Sequence, residues 1–224
     1  MMMMNDSDHH EHSLPLCLNC SEVENGFKYC QTFTHDTRAL SVLQINARSI
    51  KNKDKFSEFL NYTESFENKL DIIVVSESWL QESDPLHMYS INGYNSEFWC
   101  RAGKAGGGIV IYVADDLSYT KVNKTCISYC ENGWIEVKTR TGEIILLGAI
   151  YRPPDHPVKE FMECIENFAV QINRRQVQCV IVGDIKIDIN SNTEYANLLA
   201  ATLILYEVSK YITNPLYPTH GDKH

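Results

Sequence analysis

Asp71-Ile-Ile-Val-Val-Ser-Glu77-Ser-Trp79 is the stretch on which the reading of the fold turns. Ile72 to Val75 is an unbroken apolar run, mostly β-branched and far too short for a helix of its own, which marks a buried strand. A carboxylate, Glu77, follows one residue past the run. Working outward, Ser41 to Asn46 reads as a strand before it, and Ile109 to Val113 as one after it, entered through Gly106-Gly-Gly108. Trp134 to Thr139 alternates, turns through Thr141-Gly142 and runs back as Ile144 to Tyr151, a hairpin. Val177 to Val182 is the last clear strand.

Three segments carry helical spacing. Phe56, Phe59, Leu60, Thr63 and Phe66 share one face, and so do Val158, Phe161, Met162, Ile165, Phe168, Ala169 and Ile172. Glu194 to Tyr206 repeats the rhythm with Tyr195, Leu198, Leu199, Thr202, Leu203 and Tyr206. Such faces cover a sheet, so adjacent helices and hairpins predict mixed sheets with helices outside, a layered α/β architecture.

The 224 residues are enough for one substantial core. Residues 1–40 form a polar leader containing Cys and His, read as loosely ordered, and residues 41–224 form the domain. In the leader, Cys17, Cys20, Cys30 and His35 are chemically suitable for zinc, though their spacing matches no recognised finger. With eight cysteines and no apolar N-terminal signal, the expectation is reduced structural thiols in the nucleus or cytoplasm, with no membrane association. The formal charge is −9. From Ser41 onward, 18 Lys/Arg against 23 Asp/Glu still leave −5, which works against tight nonspecific nucleic-acid binding driven by charge alone. Gly106-Gly-Gly108 precedes a strand and lacks a lysine and a following helix. It is therefore read as a turn or a place of backbone crowding and not as a phosphate cradle.

Four polar residues stand at or just past the ends of apolar strands: Asn46, Glu77, Tyr151 and Asp184. Strand ends on a common rim are where rigid backbone can aim side chains at a ligand. Trp99 and Arg101 are read as lying in a loop able to touch DNA by stacking and phosphate contact.

Leu43 to Ser49, Asp71 to Trp79, Ile91-Asn-Gly-Tyr94, Gly106 to Tyr112, Tyr151-Arg-Pro-Pro154 and Gly183-Asp184 occur in the order found in endonuclease domains of non-LTR retrotransposons. From about Ser41 to the C-terminus the chain thus resembles the endonuclease/exonuclease/phosphatase family, closest to the jockey-like group. The resemblance implies a four-layered α/β sandwich with two packed mixed β-sheets, incomplete here, and magnesium-dependent cleavage of DNA phosphodiesters, with manganese as an alternative ion. It implies Asn46, Glu77, Tyr151 and Asp184 as catalytic residues. Glu77 and Asn46 would sit at the metal, Asp184 would orient or deprotonate the attacking water, and Arg152 would lie near the phosphate, together with Trp99 and Arg101 on DNA.

Two departures imply an impaired or inactive enzyme. Lys186 stands where the family has an asparagine; an ammonium offers only donors and can pair with Asp184, making it a poorer proton acceptor. The family also continues past the position of Pro218-Thr-His220 to an aspartate-bearing strand and a terminal Asp-His pair, whereas this sequence ends at His224. An alternative expectation is a catalytically silent nucleic-acid-binding or protein-interaction remnant, with a protein partner covering an exposed sheet edge.

Overall fold

The computed structural model describes residues 29–30, 40–101, 103, 106–123, 127–187, 191–205 and 209–210. Among the described residues, ten strands form two five-stranded sheets. The first has the order β1 (Tyr29–Cys30), β2 (Val42–Asn46), β3 (Ile72–Ser76), β5 (Ile109–Ala114), β4 (Tyr94–Trp99). The second has the order β10 (Ser209–Lys210), β9 (Gln178–Asp184), β8 (Ile144–Tyr151), β7 (Glu131–Lys138), β6 (Ser118–Lys121). Tyr29–Cys30, which the sequence assigned to the leader, pairs antiparallel with β2.

Both sheets are mixed for the same topological reason. Parallel neighbours need a long crossover, and each parallel pair has a helix between its strands in sequence. Helix α1 (Lys53–Glu64) joins β2 to β3, α2 (Val158–Arg175) joins β8 to β9, and α3 (Glu194–Leu205) lies between β9 and β10. The remaining pairs are antiparallel, including the β7–β8 hairpin that the Thr141-Gly142 turn predicted. Asn52 caps α1, its side-chain oxygen accepting from the Asp54 backbone N–H at 2.7 Å. Helix α2 starts after Pro157 and ends at left-handed Gln176, with Arg174 and Arg175 in the last turn, where positive charge suits the helix dipole.

Alternation along the strands divides the apolar residues among three layers of core. On β3, Ile73 and Val75 face α1 and pack with Phe56, Phe59, Leu43 and Ile45, while Ile72 and Val74 face the other sheet. Between the sheets they meet Ile109, Ile111, Ile135, Val137, Leu147 and Ala149. On the far face of the second sheet, Trp134, Leu146 and Ile150 are covered by Phe161, Ile165, Phe168 and Ile172 of α2 and by Ala196 and Leu199 of α3. Each large side chain buried in this way contributes roughly 1.5–3 kcal/mol. The architecture is therefore helix, sheet, sheet, helix, an α/β sandwich with two mixed sheets and flanking helices, as expected.

Four strands were not expected, the two-residue β1 and β10 and the longer β4 and β6. β4 and β6 are edge strands, and Glu97 on β4 ties them together across the side of the sandwich, accepting from Tyr119 Oη at 3.1 Å and Lys121 Nζ at 2.8 Å. Among the described residues no helix is long and apolar enough to cross a membrane.

Candidate functional site

The topology brings the carboxyl ends of the parallel pairs β2–β3 and β8–β9 to one rim. Asn46 is in register with Ser76, one residue before Glu77, and Tyr151 is in register with Asp184. The amide of Asn46 bridges the two sheets: Nδ2 donates to Glu77 Oε1 and to Asp184 Oδ2, both at 2.7 Å. Its other amide atom, Oδ1, accepts from the Arg48 backbone N–H at 3.2 Å, so the orientation of the group is fixed. Asn46, Glu77, Tyr151 and Asp184, singled out from the sequence, are thus in one place although as many as 138 residues separate them.

Two carboxylate oxygens sharing one amide nitrogen at 2.7 Å each lie within about 5 Å of one another. Unscreened by a cation, their repulsion would be about 3 kcal/mol at an effective dielectric constant near 20. The cation present is Lys186. Its Nζ contacts Asp184 Oδ2 and stands 3.9 Å from Glu77 Oε1. Tyr151 also hydrogen-bonds Glu77; burial first, and then the negative charge of Glu77, push its phenol well above the ordinary range. It is therefore a neutral donor.

Tight backbone geometry holds these groups. The segment after β2 runs beside the segment after β3, with Ala47 N donating to Ser76 O, Ser49 N to Glu77 O and Ile50 N to Ser78 O. On the other side, Ser78 N and Trp79 N donate to Gly108 O and Gly107 O. This close approach explains the glycine run: at Gly108, with φ +83°, a Cβ would stand 2.6 Å from Ser78 Oγ. Arg48, Ser49, Glu77, Trp79 and Lys186 all have positive φ. A non-glycine residue held there costs about 1–3 kcal/mol, and such strain persists only where the surroundings over-determine it.

Arg152, expected at a phosphate, is 3% exposed. Its Nε donates to Ile185 O at 2.7 Å, Nη1 to His156 O at 2.6 Å and Nη2 to Lys186 O at 3.1 Å. The guanidinium staples the backbone that presents Lys186 and shows no free fork to solvent. Burial lowers its pKa from the usual arginine range. Trp99 lies at the end of β4, against Gly133 and under Lys121 Nζ at 4.4 Å from the ring centre. Arg101 is paired with Glu131, whose other oxygen accepts from the Gly108 backbone N–H. The exposed aromatic at this rim is Trp79, 41% exposed. The sequence placed it in a motif without assigning it a role; a large aromatic just past a buried run and a carboxylate was the available signal.

Among the described residues, no group of three or more His, Cys, Asp and Glu side chains could hold a metal ion. This overturns the expected cofactors. For magnesium or manganese, the rim offers two carboxylates already bound by Lys186 and Asn46, and the Asn46 amide turns its nitrogen, not its oxygen, toward them. Magnesium or manganese held by one or two carboxylates needs those oxygens free, with water filling the rest of its shell; here both carboxylates are engaged by the Asn46 amide and the Lys186 ammonium, so the residues as arranged do not fit such an ion. The zinc set fares no better: Cys17, Cys20 and His35 lie outside the described residues, and no zinc ligand set exists within them. A cavity of about 700 Å³ lies elsewhere, between α2 and β6–β7, lined in part by Lys121, Asn167, Phe168, Gln171 and Arg175.

No protein-family model and no curated protein matches the sequence. Among solved structures, the endonuclease domain of TRAS1, a telomere-specific non-LTR retrotransposon, aligns with a TM-score of 0.52 at 16% identity, over 75% of this chain and 71% of that one. The human Nocturnin catalytic domain with bound sulfate anion aligns with the same TM-score of 0.52 at 12% identity, over 79% of this chain and 71% of that one. At such identities these likenesses show the fold alone, which the chain shares with an endonuclease domain and with the Nocturnin catalytic domain. Equal scores for both do not single out the retrotransposon group.

Proposed function

We propose that this domain is a catalytically silent relative of the phosphodiester-cleaving enzymes of its fold, and that it binds DNA without cutting it. The observation that carries this reading is the Lys186 ammonium in contact with Asp184 and 3.9 Å from Glu77. Hydrolysis of a phosphodiester needs a group to accept a proton from water and positive charge to offset that building on phosphate oxygens. Here Asp184 Oδ2, the oxygen that would accept the proton, already takes two donors, Asn46 and Lys186. The ammonium in turn is spent on the protein's own carboxylates.

Binding is supported by the rim. Arg48, Lys53 and Lys55, in the β2–α1 connection and the start of α1, are exposed, and so is the indole of Trp79, while Lys51 is paired with Asp84. Basic side chains contact phosphates regardless of sequence, and a base stacked on an aromatic is worth about 1–3 kcal/mol. With an overall charge of −9 the attraction is local. Each phosphate contact contributes about 0.9 to the slope of log affinity against log salt, which limits this patch to a slope of roughly −3 or shallower.

The test combines supercoiled plasmid, incubated with and without divalent metal, and fluorescence anisotropy on a short DNA. We expect no nicking above that of Glu77→Ala, and binding that is unaffected by chelator or by Glu77→Ala but weakened by Trp79→Ala. Nicking by the wild type that disappears in Glu77→Ala would show a working site and overturn the silent reading. Binding indifferent to both Trp79→Ala and salt would remove the rim from it.

A further inference from the structure

We infer that Lys186 is a tethered substitute for a metal ion: its ammonium takes the place between Glu77 and Asp184 that a divalent cation would need, so this end of the sandwich is held together without metal. The inference rests on the placement of Lys186 and not on DNA binding at the rim, so either can fail alone.

The placement is built. Lys186 has φ +54°, and its backbone is pinned by the buried Arg152, which bonds the carbonyls of both Ile185 and Lys186. That strained turn aims a long side chain back at the strand ends, leaving its side chain only 28% exposed. A compact ammonium with three donors is satisfied by few acceptors, whereas a hard divalent ion needs free carboxylate oxygens and completes its shell with water. The rest of the network suits an ammonium: Asn46 gives both N–H bonds to the same two carboxylates, and the neutral Tyr151 hydroxyl donates a hydrogen bond to Glu77. All the donors here point at the carboxylates, leaving no protein oxygen besides those carboxylates turned inward to help bind a metal. Two negative charges are therefore met by one fixed positive charge and neutral hydrogen bonds.

Removing the ammonium should uncover the carboxylate pair. The probe is Mn²⁺ alone, followed by the loss of its free-ion electron paramagnetic resonance signal and by thermal unfolding of the full chain in chelator and in excess MnCl₂. Wild type should bind no more Mn²⁺ than Glu77→Gln, which controls for ions held elsewhere, and its unfolding midpoint should be the same in chelator and in MnCl₂. Lys186→Met should unfold at lower temperature in chelator and recover in MnCl₂ along a saturating curve, as linkage requires of a ligand that binds only the folded state. Lys186→Arg, which keeps the charge, should behave as wild type. A wild-type site for Mn²⁺ that Glu77→Gln removes overturns the inference, whether or not the Met variant folds. A folded Lys186→Met as stable in chelator as wild type and indifferent to MnCl₂ overturns it equally.

Discussion

Gly183 shows how a single residue decides the rim. It stands opposite Ile150 in the parallel β8–β9 ladder at φ +149°, and a Cβ there would lie 1.8 Å from Ile150 O. Gly183→Ala should therefore push β9 away from β8 and displace Asp184. Crowding and backbone strain together give an expected loss of about 3 kcal/mol in urea unfolding. Arg152 is the second such residue. Arg152→Met removes the donors to the carbonyls of Ile185, His156 and Lys186, leaving buried acceptors unmatched, with an expected cost of about 3 kcal/mol. Arg152→Lys should rescue little, because one ammonium cannot reproduce the planar fork. The sequence pointed to Gly183-Asp184 and to Tyr151-Arg152 as motifs, but only the fold shows that the glycine admits a neighbouring carbonyl and that the arginine faces inward.

The elements divide into those with and without a pattern of their own. Strands β2, β3, β5, β7, β8 and β9 are bordered on one or both faces by core, so their apolar runs announce them. β4, Tyr-Asn-Ser-Glu-Phe-Trp, has no buried residue, and β6 is only four residues long. Both are edge strands, stabilised by one neighbour and by Glu97 between them, which no local pattern encodes. Glu97→Ala should loosen this side of the sandwich by about 1 kcal/mol, measurable as earlier hydrogen exchange in β4 and β6 than in β3 or β8. An unchanged exchange pattern would show that the latch contributes nothing.

For the whole molecule, ionisable groups at the surface set a window of stability. Asp84, Asp115 and Asp116 are held below the usual carboxylate range by hydrogen bonds from Lys51, Lys69 and Arg140 respectively. A depressed folded-state pKa adds stability that is complete above the unfolded value of about 4 and is lost as the pH falls through the folded one. Tyr94 and Tyr119 are pushed up to about 12, chiefly by burial, and their contribution is present below about 10 and lost as the pH rises toward 12. Urea midpoints against pH should accordingly form a plateau from about 5 to 9 with a fall on each side; a continuous slope across neutrality would contradict it. By itself the sequence determined the central strands, the three helices and their sheet-facing sides, because burial repeats with the period of the backbone and is written locally. It also marked Asn46, Glu77, Tyr151 and Asp184 as strand-end polar groups. Only the tertiary structure decided that these four meet, that Lys186, read from the sequence as able to pair with Asp184, also stands at Glu77, and that Arg152 is a staple. Those outcomes depend on how two sheets stack and where a left-handed turn aims a side chain, and distance across space has no period along the chain.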